Sequence, residues 1–575
     1  MKVKGSRASA TTVGAMRSVL LVLSMAAFAL ATAADEPPPA PEITPPRLSF
    51  IDGKASFWRP GAQDWAPARV NTPLAAGDAL YSGERANLEI QIGPRAFVRA
   101  AEKTQVGIVN IEPDFVQVKV TGGQASLDVR SLAAGHTVEL DTPNAVFTLE
   151  HPGYYRVSVA GDVVRFIIRR GGRATITLAG APPQALSPSE ETVVRGIDSP
   201  SVETYVAPDL DAWDRWNYAR TDYEIEALSA RYVSPGVYGV GVLDQWGAWR
   251  VVPDYGAVWV PERVPAEWAP YTTGSWIWDP YYGWTWVDDA PWGWAPFHHG
   301  RWVLVGGFWA WAPGPVILRP VYAPALVAFF GIAPGVSVRV GIPGPALGWV
   351  ALGWGEPLRP WWGPPGFIGK PWWRGWVGPR VVNNVVIERT TIVNVDKIVY
   401  QHTKQPRAFV VVPDGQFGAG PVKGKRLSPT GAHELQQIGD AHPARPGPAS
   451  LVPRQGETIR APAPAASRPV IATRPPREVP LPFKRAPAPK PAIAAPAARM
   501  VAPPKPADAS VASPRPSFGA KGAERPRPSQ PPRYEELRRS PPAPAQKAPA
   551  ATAQRKGGEA REPQALPGRP ANVRR

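Results

Sequence analysis

The sequence predicts a mainly β protein: a β-sandwich or roll, one connecting helix, a tryptophan-rich domain of repeated short strands, and a disordered C-terminal tail. Three observations predict this architecture. Residues 47–196 alternate apolar and polar side chains, residues 232–420 hold most of the tryptophan, and residues 421–575 are basic and rich in proline. The chain contains no cysteine, so neither disulfides nor thiolate metal sites can stabilise the fold.

Residues 1–34 have the pattern of a secretory signal peptide. Basic residues precede an apolar run from Val19 to Leu30, and small residues suited to a signal peptidase follow it. The run is short for a membrane span, so we expect cleavage, with an uncleaved anchor as the alternative. Translation from either Met1 or Met16 would supply such a signal. We therefore expect export to the periplasm or cell envelope, with no integral membrane span after cleavage.

Residues 47–196 have the two-residue apolar period of half-buried strands. The clearest runs are Leu88, Ile90 and Ile92, then Val116, Val118 and Val120, then Leu127 and Val129. Glycine-containing pairs predict turns between the strands. These pairs are Asp52-Gly53, Gly122-Gly123, Gly161-Asp162 and Gly171-Gly172. Short strands joined by tight turns favour an all-β sandwich or roll.

One helix is predicted, over residues 209–231. Asp209 is placed to cap its first turn. Its apolar members are Leu210, Trp213, Trp216, Tyr223 and Leu228. We interpret the helix as a connector that packs between the two β domains.

The region 232–420 contains an internal repeat and nearly all of the tryptophan. Of the 24 tryptophans, 20 lie between Trp246 and Trp376. Residues 268–276 (WAPYTTGSW) recur as residues 294–302 (WAPFHHGRW), with 5 of 9 positions identical. Tryptophan, proline and glycine at this spacing predict short strands that end in tight turns. A buried tryptophan removes about 150–250 Å² from water, so packing alone can hold such a domain together.

Two interpretations of the aromatic residues stay open. In the first, the rings form the core of the domain. In the second, some rings are exposed and stack on the sugar faces of envelope glycans. The candidate binding residues are Trp259, Trp268, Tyr271, Trp276, Trp286, Trp294, Phe297, His298, His299, Arg301 and Trp302.

The sequence predicts no enzyme, no metal site and no cofactor. His298 and His299 are adjacent, and on a strand they would point to opposite faces. The first repeat carries Thr272 and Thr273 at these positions, so a solvated turn is favoured over a metal site. The sequence has no nucleophile elbow, phosphate loop or dinucleotide fingerprint.

The basic charge lies at the C-terminal end. Residues 421–575 carry 28 Lys+Arg against 10 Asp+Glu, whereas the first 420 residues carry 36 against 37. This tail holds 33 prolines and no tryptophan, so it cannot bury enough apolar surface to offset chain entropy. We expect either a solvated spacer or an electrostatic tether to an anionic envelope polymer such as peptidoglycan. Nucleic acid is not expected, because an exported protein rarely meets it.

Three motifs in the first domain form turns and strands: Pro73–Asp78 before Tyr81-Ser82-Gly83, then Asp141–Asn144, then Gly153–Val157. On these motifs, residues 48–196 resemble the extracytoplasmic domain of the FecR (ferric-citrate regulator) family. The resemblance implies an all-β domain that contacts proteins in the periplasm. The family's regulators also have a cytoplasmic segment and a membrane helix, which we do not find here, so transmembrane signalling is not expected.

A second set of strings lies within residues 213–422: YYGWTW at 281–286, PWGWAPFHHGRW at 291–302 and PALV at 324–327. They are similar to a Trp-rich domain of unknown function that often follows FecR-like domains in proteobacterial exported proteins. His298, His299 and Arg301 fit the pattern of that domain, but the resemblance implies no particular activity for them. The sequence thus predicts a non-catalytic envelope protein with a structural or protein-interaction role, and a glycan-binding module is the alternative.

Overall fold

The computed structural model describes residues 44–477 with gaps, and residues 498–501. The gaps are 318–319, 333–341, 343, 357, 359–379, 383–384, 388–399, 428–435, 439–443, 455 and 457. The predicted signal peptide and the tail after residue 501 lie outside the described residues. Within the described ranges, no helix is both long and apolar enough to cross a membrane.

Residues 47–206 form one hydrogen-bonded sheet of 16 strands, the first sheet. The strands are β1 (Arg47–Asp52), β2 (Ala55–Trp58), β3 (Ala66–Pro67), β4 (Ala79–Ser82), β5 (Asn87–Gly93), β6 (Ala96–Ala100), β7 (Gln105–Glu112), β8 (Phe115–Val129), β9 (Thr137–Asp141), β10 (Val146–Leu149), β11 (Gly153–Ala160), β12 (Val163–Arg169), β13 (Ala174–Thr177), β14 (Gln184–Leu186), β15 (Glu190–Arg195) and β16 (Ser201–Val206). This confirms the predicted all-β character of the region.

Strand β8 links two layers of the first sheet. Its first half pairs with β7 and β9, and its second half pairs with β6 and β11. The sequence predicts a turn at Gly122-Gly123, but the structure places this pair inside the 15-residue strand. Gly123 has a φ of +90°, and a Cβ there would collide with Thr104. Glycine thus lets the strand bend from one layer to the other without ending.

The core of the first sheet lies between these layers. Leu88 and Ile90 of β5 are fully buried, as are Val118 and Val120 of β8, so the apolar residues of the predicted alternation form the core. The intervening Glu89 and Gln117 are also fully buried, so these strands are not half-buried as predicted. Rings from β10 and β12 also stack in the core, with centroids 4.0 Å apart. The apolar face of each strand is therefore the inner face of a sandwich.

Helix α1 spans Ala212–Ile225, which is shorter than the predicted 209–231. Its cap is Asp211 rather than Asp209. The Asp211 side chain accepts from the backbone N–H of Asp214, and the Asp214 carboxylate accepts from the backbone N–H of Asp211. The prediction of Asp209 considered a single aspartate as the cap. The reciprocal pair of Asp211 and Asp214, three residues apart, stabilises the first turn better than a single aspartate.

The buried face of α1 is polar, whereas the sequence predicts apolar contacts. Thr221 Oγ1 accepts from Arg99 at 2.7 Å, and Asp214 accepts from the Tyr154 hydroxyl at 2.7 Å. Leu228, predicted as an apolar member of the helix, is 50% exposed and lies in a separate 3₁₀ turn. The helix docks through hydrogen bonds because the outer face of the first sheet presents polar side chains to it.

The Trp-rich region consists of short sheets. The strands are β17 (Gly247–Val252), β18 (Gly256–Pro261), β19 (Gly274–Asp279), β20 (Gly283–Asp288), β21 (Arg301–Val305), β22 (Phe308–Ala312), β23 (Val327–Ile332), β24 (Ala346–Ala351), β25 (Arg380–Val382), β26 (Val385–Ile387), β27 (Phe409–Pro413), β28 (Lys425–Leu427) and β29 (Gln436–Gln437). They pair in the orders β17-β18-β22-β21, β19-β20, β28-β27-β24-β23-β29 and β25-β26. Two short helices, α2 (Leu243–Trp246) and α3 (Ala295–His298), connect them, with 3₁₀ turns at Gln401–Lys404 and Asp414–Gln416.

Two parts of the predicted tail belong to the fold. Strands β28 and β29 extend the Trp-rich region past residue 420 by pairing with β27 and β23, and a later segment packs on the first sheet. Residues 458–477, hereafter the strap, contain helix α4 (Ala463–Ala466) and strand β30 (Val470–Ala472). Strand β31 (Ala498–Met500) pairs with β30 in parallel, and a 3₁₀ turn at Pro448–Leu451 precedes the strap. The side chains of β30 are at most 2% exposed. The average composition of the tail hides this short apolar segment, which finds partners only on the folded sheet.

Candidate functional site

All eight aromatic candidates are buried, and each residue is at most 7% exposed. They are Trp259, Trp268, Tyr271, Trp276, Trp286, Trp294, Phe297 and Trp302. A ring that stacks on a sugar needs an exposed face, and none of these eight has one. The structure therefore supports the first interpretation, a core built from the rings, and these residues form no exposed stacking platform.

Strand pairing brings the rings together. Trp276 and Trp286 are opposite each other in the β19-β20 hairpin, with ring centroids 5.3 Å apart at 66°. Trp311 is paired with Trp302 on one side and with Trp259 on the other. Because successive side chains of a strand point to opposite faces, tryptophans at alternate positions all project into one aromatic core.

The two copies of the repeat contact each other at equivalent positions. Tyr271 of the first copy and Phe297 of the second meet edge to face, with centroids 4.8 Å apart at 86°. Trp268, which begins the first copy, lies 5.4 Å from Trp302, which ends the second. The repeat thus builds a shared core rather than a row of separate sites.

His298 and His299 are buried, whereas the sequence predicts a solvated turn. His298 ends helix α3, and its Nδ1 donates to the Ala323 carbonyl at 2.8 Å. Its ring stacks on Tyr322 with centroids 4.8 Å apart. Among the described residues, the Nε2 atoms of both histidines have no hydrogen-bond partner. The expectation was wrong because the residues that cover this turn come from a distant segment of the chain.

Burial decides the charge of both histidines. It lowers the pKa of His298 to about 3 and that of His299 to about 4. Both imidazoles are therefore neutral at pH 7. Within the described residues, no group of three or more His, Cys, Asp or Glu side chains is arranged to hold a metal ion.

Arg301 is buried against backbone carbonyls. Its Nε and Nη2 atoms donate to the Glu356 carbonyl at 3.2 and 3.0 Å, and Nη1 donates to the Gly300 carbonyl at 2.8 Å. Burial lowers the pKa of Arg301 to about 10. This guanidinium ties strand β21 to the chain near residue 356, so its interactions within the described residues are structural.

Arg59 joins the first sheet to the Trp-rich region, a contact that the sequence did not predict. Its guanidinium forms a bidentate pair with Asp78, at 2.9 and 2.7 Å. It also donates to the Trp278 carbonyl at 2.9 Å. Arg59 and Asp78 are both about 1% exposed. The signal available in the sequence was Asp78, which ends a motif of the FecR resemblance.

A second polar contact lies at the same junction. Arg47 donates to Gln91 at 2.9 Å and to Asn71 at 3.1 Å. Asn71 in turn donates to the Ala290 carbonyl of the Trp-rich region at 2.8 Å. The Arg47 guanidinium lies 5.6 Å from the ring centroid of Trp294. Buried, hydrogen-bonded polar groups thus fix the position of one region on the other.

Part of the Trp-rich region is similar to a known family. Residues 240–356 match a family of unknown function (DUF6600). The match lies inside residues 213–422, for which the sequence predicts a Trp-rich domain of unknown function. No curated protein matches the chain.

Two similar solved structures are of a candidate anti-sigma factor from Parabacteroides distasonis. One is 14% identical, has a TM-score of 0.20, and covers 24% of this chain and 64% of its own. The other is 12% identical, has a TM-score of 0.17, and covers 27% of this chain and 60% of its own. This chain therefore spans less than two thirds of the length of each.

Proposed function

We propose that the protein is an exported, non-catalytic interaction protein of the cell envelope. In this proposal the first sheet is a FecR-like scaffold that contacts a protein partner, and the basic C-terminal residues tether the protein to an anionic envelope polymer. The proposal rests on one structural observation above others. The candidate polar groups His298, His299 and Arg301 are buried within the Trp-rich region, so its chemistry serves packing.

The FecR-like assignment is supported by where its motif residues lie. Asp78 accepts from the backbone N–H of Ala75 at 2.8 Å and holds a turn. The Tyr155 hydroxyl donates to the His151 carbonyl and lies 3.0 Å from the Arg173 carbonyl, at the end of the β11-β12 pair. These contacts fix turns and strand ends of the first sheet.

The tether is supported by the distribution of charge. Residues 502–575 carry 15 Lys+Arg against 6 Asp+Glu, and long-range attraction to an anionic polymer is weakened by salt. Co-sedimentation with purified peptidoglycan tests this role. We expect the full chain to bind at low salt and to dissociate as salt rises. Deletion of residues 502–575 should abolish binding, and this deletion keeps β28, β30 and β31 in place.

A matched control replaces the lysines and arginines of residues 502–575 with glutamine. This variant keeps the length and the prolines, so it should bind as poorly as the deletion. Unchanged binding of either variant would overturn the tether. Export has a separate test: the mature protein recovered from the periplasmic fraction should lack residues 1–34. Recovery of the intact chain from the cytoplasm alone would overturn export.

A further inference from the structure

Four polar side chains of the first sheet alternate with core residues, so they lie on the outer face of the sheet. They are nevertheless buried. They are Asn110 on β7, Gln117 on β8, and Glu139 and Asp141 on β9, and each is at most 2% exposed. We call them the outer polar face. Gln117 lies opposite both Asn110 and Glu139 in the strand register, so the four residues are neighbours on one surface.

The strap covers the outer polar face mainly with its backbone. Three hydrogen bonds involve the strap backbone: Gln117 Nε2 to the Arg474 carbonyl (3.2 Å), Asn110 Nδ2 to the Pro475 carbonyl (3.0 Å), and the Thr473 N–H to Glu139 Oε1 (2.9 Å). A fourth runs from the Thr473 hydroxyl to Glu139. Recognition of the backbone of an extended segment depends little on its side chains. The surface that holds the strap can therefore hold another extended peptide.

Side chains add a preference for basic sequences. Arg474 pairs with Glu112, and its guanidinium lies 3.8 Å from the ring centroid of Phe115. Residues 466–477 of the strap contain three arginines and no acidic residue. The surface itself contributes the carboxylates of Glu112 and Glu139, so a cationic peptide is complementary to it.

The strap leaves this surface incompletely satisfied. Asn110 Oδ1 and Asp141 Oδ1 are buried and have no hydrogen-bond partner among the described residues. Both are positions where a donor would fit. Burial raises the pKa of Asp141 well above its usual range, and the neighbouring Glu139 raises it further. An ammonium or guanidinium group beside either atom would supply a missing donor, and beside Asp141 it would also stabilise the carboxylate.

We propose that the outer polar face is a peptide-binding site, that the strap occupies it as an intramolecular competitor, and that its partner is an extended basic peptide whose lysine or arginine donates to Asn110 or Asp141. This inference deepens the proposed interaction role and rests on it for the biological source of the peptide. The strap has the advantage of being tethered, since a linked segment acts at millimolar effective concentration.

Fluorescence anisotropy tests the site with a labelled peptide of residues 466–477. The receptor is the full chain, either wild type or carrying Ile471→Asp, which places a charge at a strap position that is 1% exposed. Release of the strap should tighten peptide binding by at least about tenfold over the wild-type chain. Equal binding by the two chains, or no binding by an Ile471→Asp chain that still melts cooperatively, would overturn the proposal.

Two altered peptides test the chemistry. A peptide with Thr473→Lys replaces the hydroxyl that donates to Glu139 with an ammonium group beside the same carboxylate, and it should bind the released chain more tightly than the unaltered peptide. A peptide with Arg474→Glu should bind more weakly, and Glu112→Lys in the receptor should restore its binding. If the released chain binds all the peptides equally, the charge preference is wrong.

Hydrogen exchange on the wild-type chain keeps the proposal testable if Ile471→Asp fails to fold. The backbone N–H groups of Ile471 and Thr473 bond to Thr142 and Glu139. They should exchange faster than amides in the centre of β8, because the strap opens without the sheet. Exchange of both sets at the same rate would make the strap an inseparable part of the fold. None of these outcomes depends on export or on the tether.

Discussion

The hydroxyl of Tyr271 donates a 2.6 Å hydrogen bond to the carbonyl of Phe297, the residue at the equivalent position of the second repeat. The same hydroxyl accepts from the backbone N–H of Leu326 at 2.9 Å. One phenol therefore joins both repeat copies to the start of strand β23. Tyr271 is fully buried, so neither bond can be replaced by water.

Tyr271→Phe should remove these bonds and keep the ring contact. The Leu326 N–H and the Phe297 carbonyl would lose a partner in a dry environment, so we expect the free energy of unfolding to fall by about 1–3 kcal/mol. Urea unfolding followed by tryptophan fluorescence measures this change. Tyr281→Phe is the matched control, because Tyr281 is 39% exposed and should change stability by less than about 0.5 kcal/mol. Similar losses in both variants would argue against this role of the phenol.

Gly418→Ala should disrupt the contact between the turn after β27 and the hairpin of the repeat. Gly418 has a φ of +71°, and a Cβ there would overlap the Trp284 ring. Overpacking and the left-handed backbone together should cost at least about 2 kcal/mol. Gly415→Ala, three residues earlier, has no neighbouring heavy atom within 4 Å of the new Cβ and should be nearly neutral. Thermal melting followed by circular dichroism compares the two, and equal midpoints would contradict this packing.

The free energy of unfolding should decrease as the pH is lowered below 6.5, because His298 and His299 are buried in the neutral form. Burial lowers their pKa from 6.5 to about 3 and about 4. Between pH 6.5 and about 4 the unfolded chain therefore binds protons that the folded chain does not. The stability they contribute is complete above pH 6.5 and is lost as pH falls. Each histidine should add a slope of about 1.4 kcal/mol per pH unit in this window.

Urea titrations at pH 7, 6 and 5 measure this slope. His298→Asn keeps a donor for the Ala323 carbonyl and removes one titrating group, so its slope should be smaller than that of the wild-type chain. His136→Asn, at an exposed position, is the matched control for the substitution. A slope that His298→Asn does not alter would show that His298 is protonated in the folded state.

Arg59→Met should weaken the junction between the first sheet and the Trp-rich region. Asp78 would stay buried without its guanidinium partner, which costs about 3–5 kcal/mol. The contact to the Trp278 carbonyl would also be lost. Scanning calorimetry should show one transition for the wild-type chain and a lower or divided transition for the variant. Arg250→Met, at an exposed position, is the control, and an equal shift in both variants would contradict the proposed junction.

The sequence predicted the parts of the fold that depend on local pattern. Alternation at Leu88, Ile90 and Val118 marks the inner face of each strand, because side chains of a strand point to opposite faces with a period of two. The same reasoning failed at Gly122-Gly123. A glycine pair has the same local preference whether the chain turns back or bends into a second layer, and only pairing along β8 distinguishes these outcomes.

The candidate site was predicted only in part. The repeat identified the rings that pack together, and packing was the interpretation that the structure supports. The position of His298 was not predictable, since its environment comes from Tyr322 and Ala323, which follow it by more than 20 residues. Arg59 and Asp78 were missed for a related reason: a charged pair is buried only when another region covers it.

The sequence by itself determined that the chain forms β-sheets, which residues face inward, and that tryptophan fills the core of the second region. Only the tertiary structure decided what covers the outer faces of those sheets: the polar side of α1 over Arg99, and the strap over Gln117 and Glu139. The physical reason is that strand periodicity separates two faces of one strand, whereas burial of the second face requires a distant segment. That segment's own composition, averaged over a basic and proline-rich tail, gives no sign of the contact.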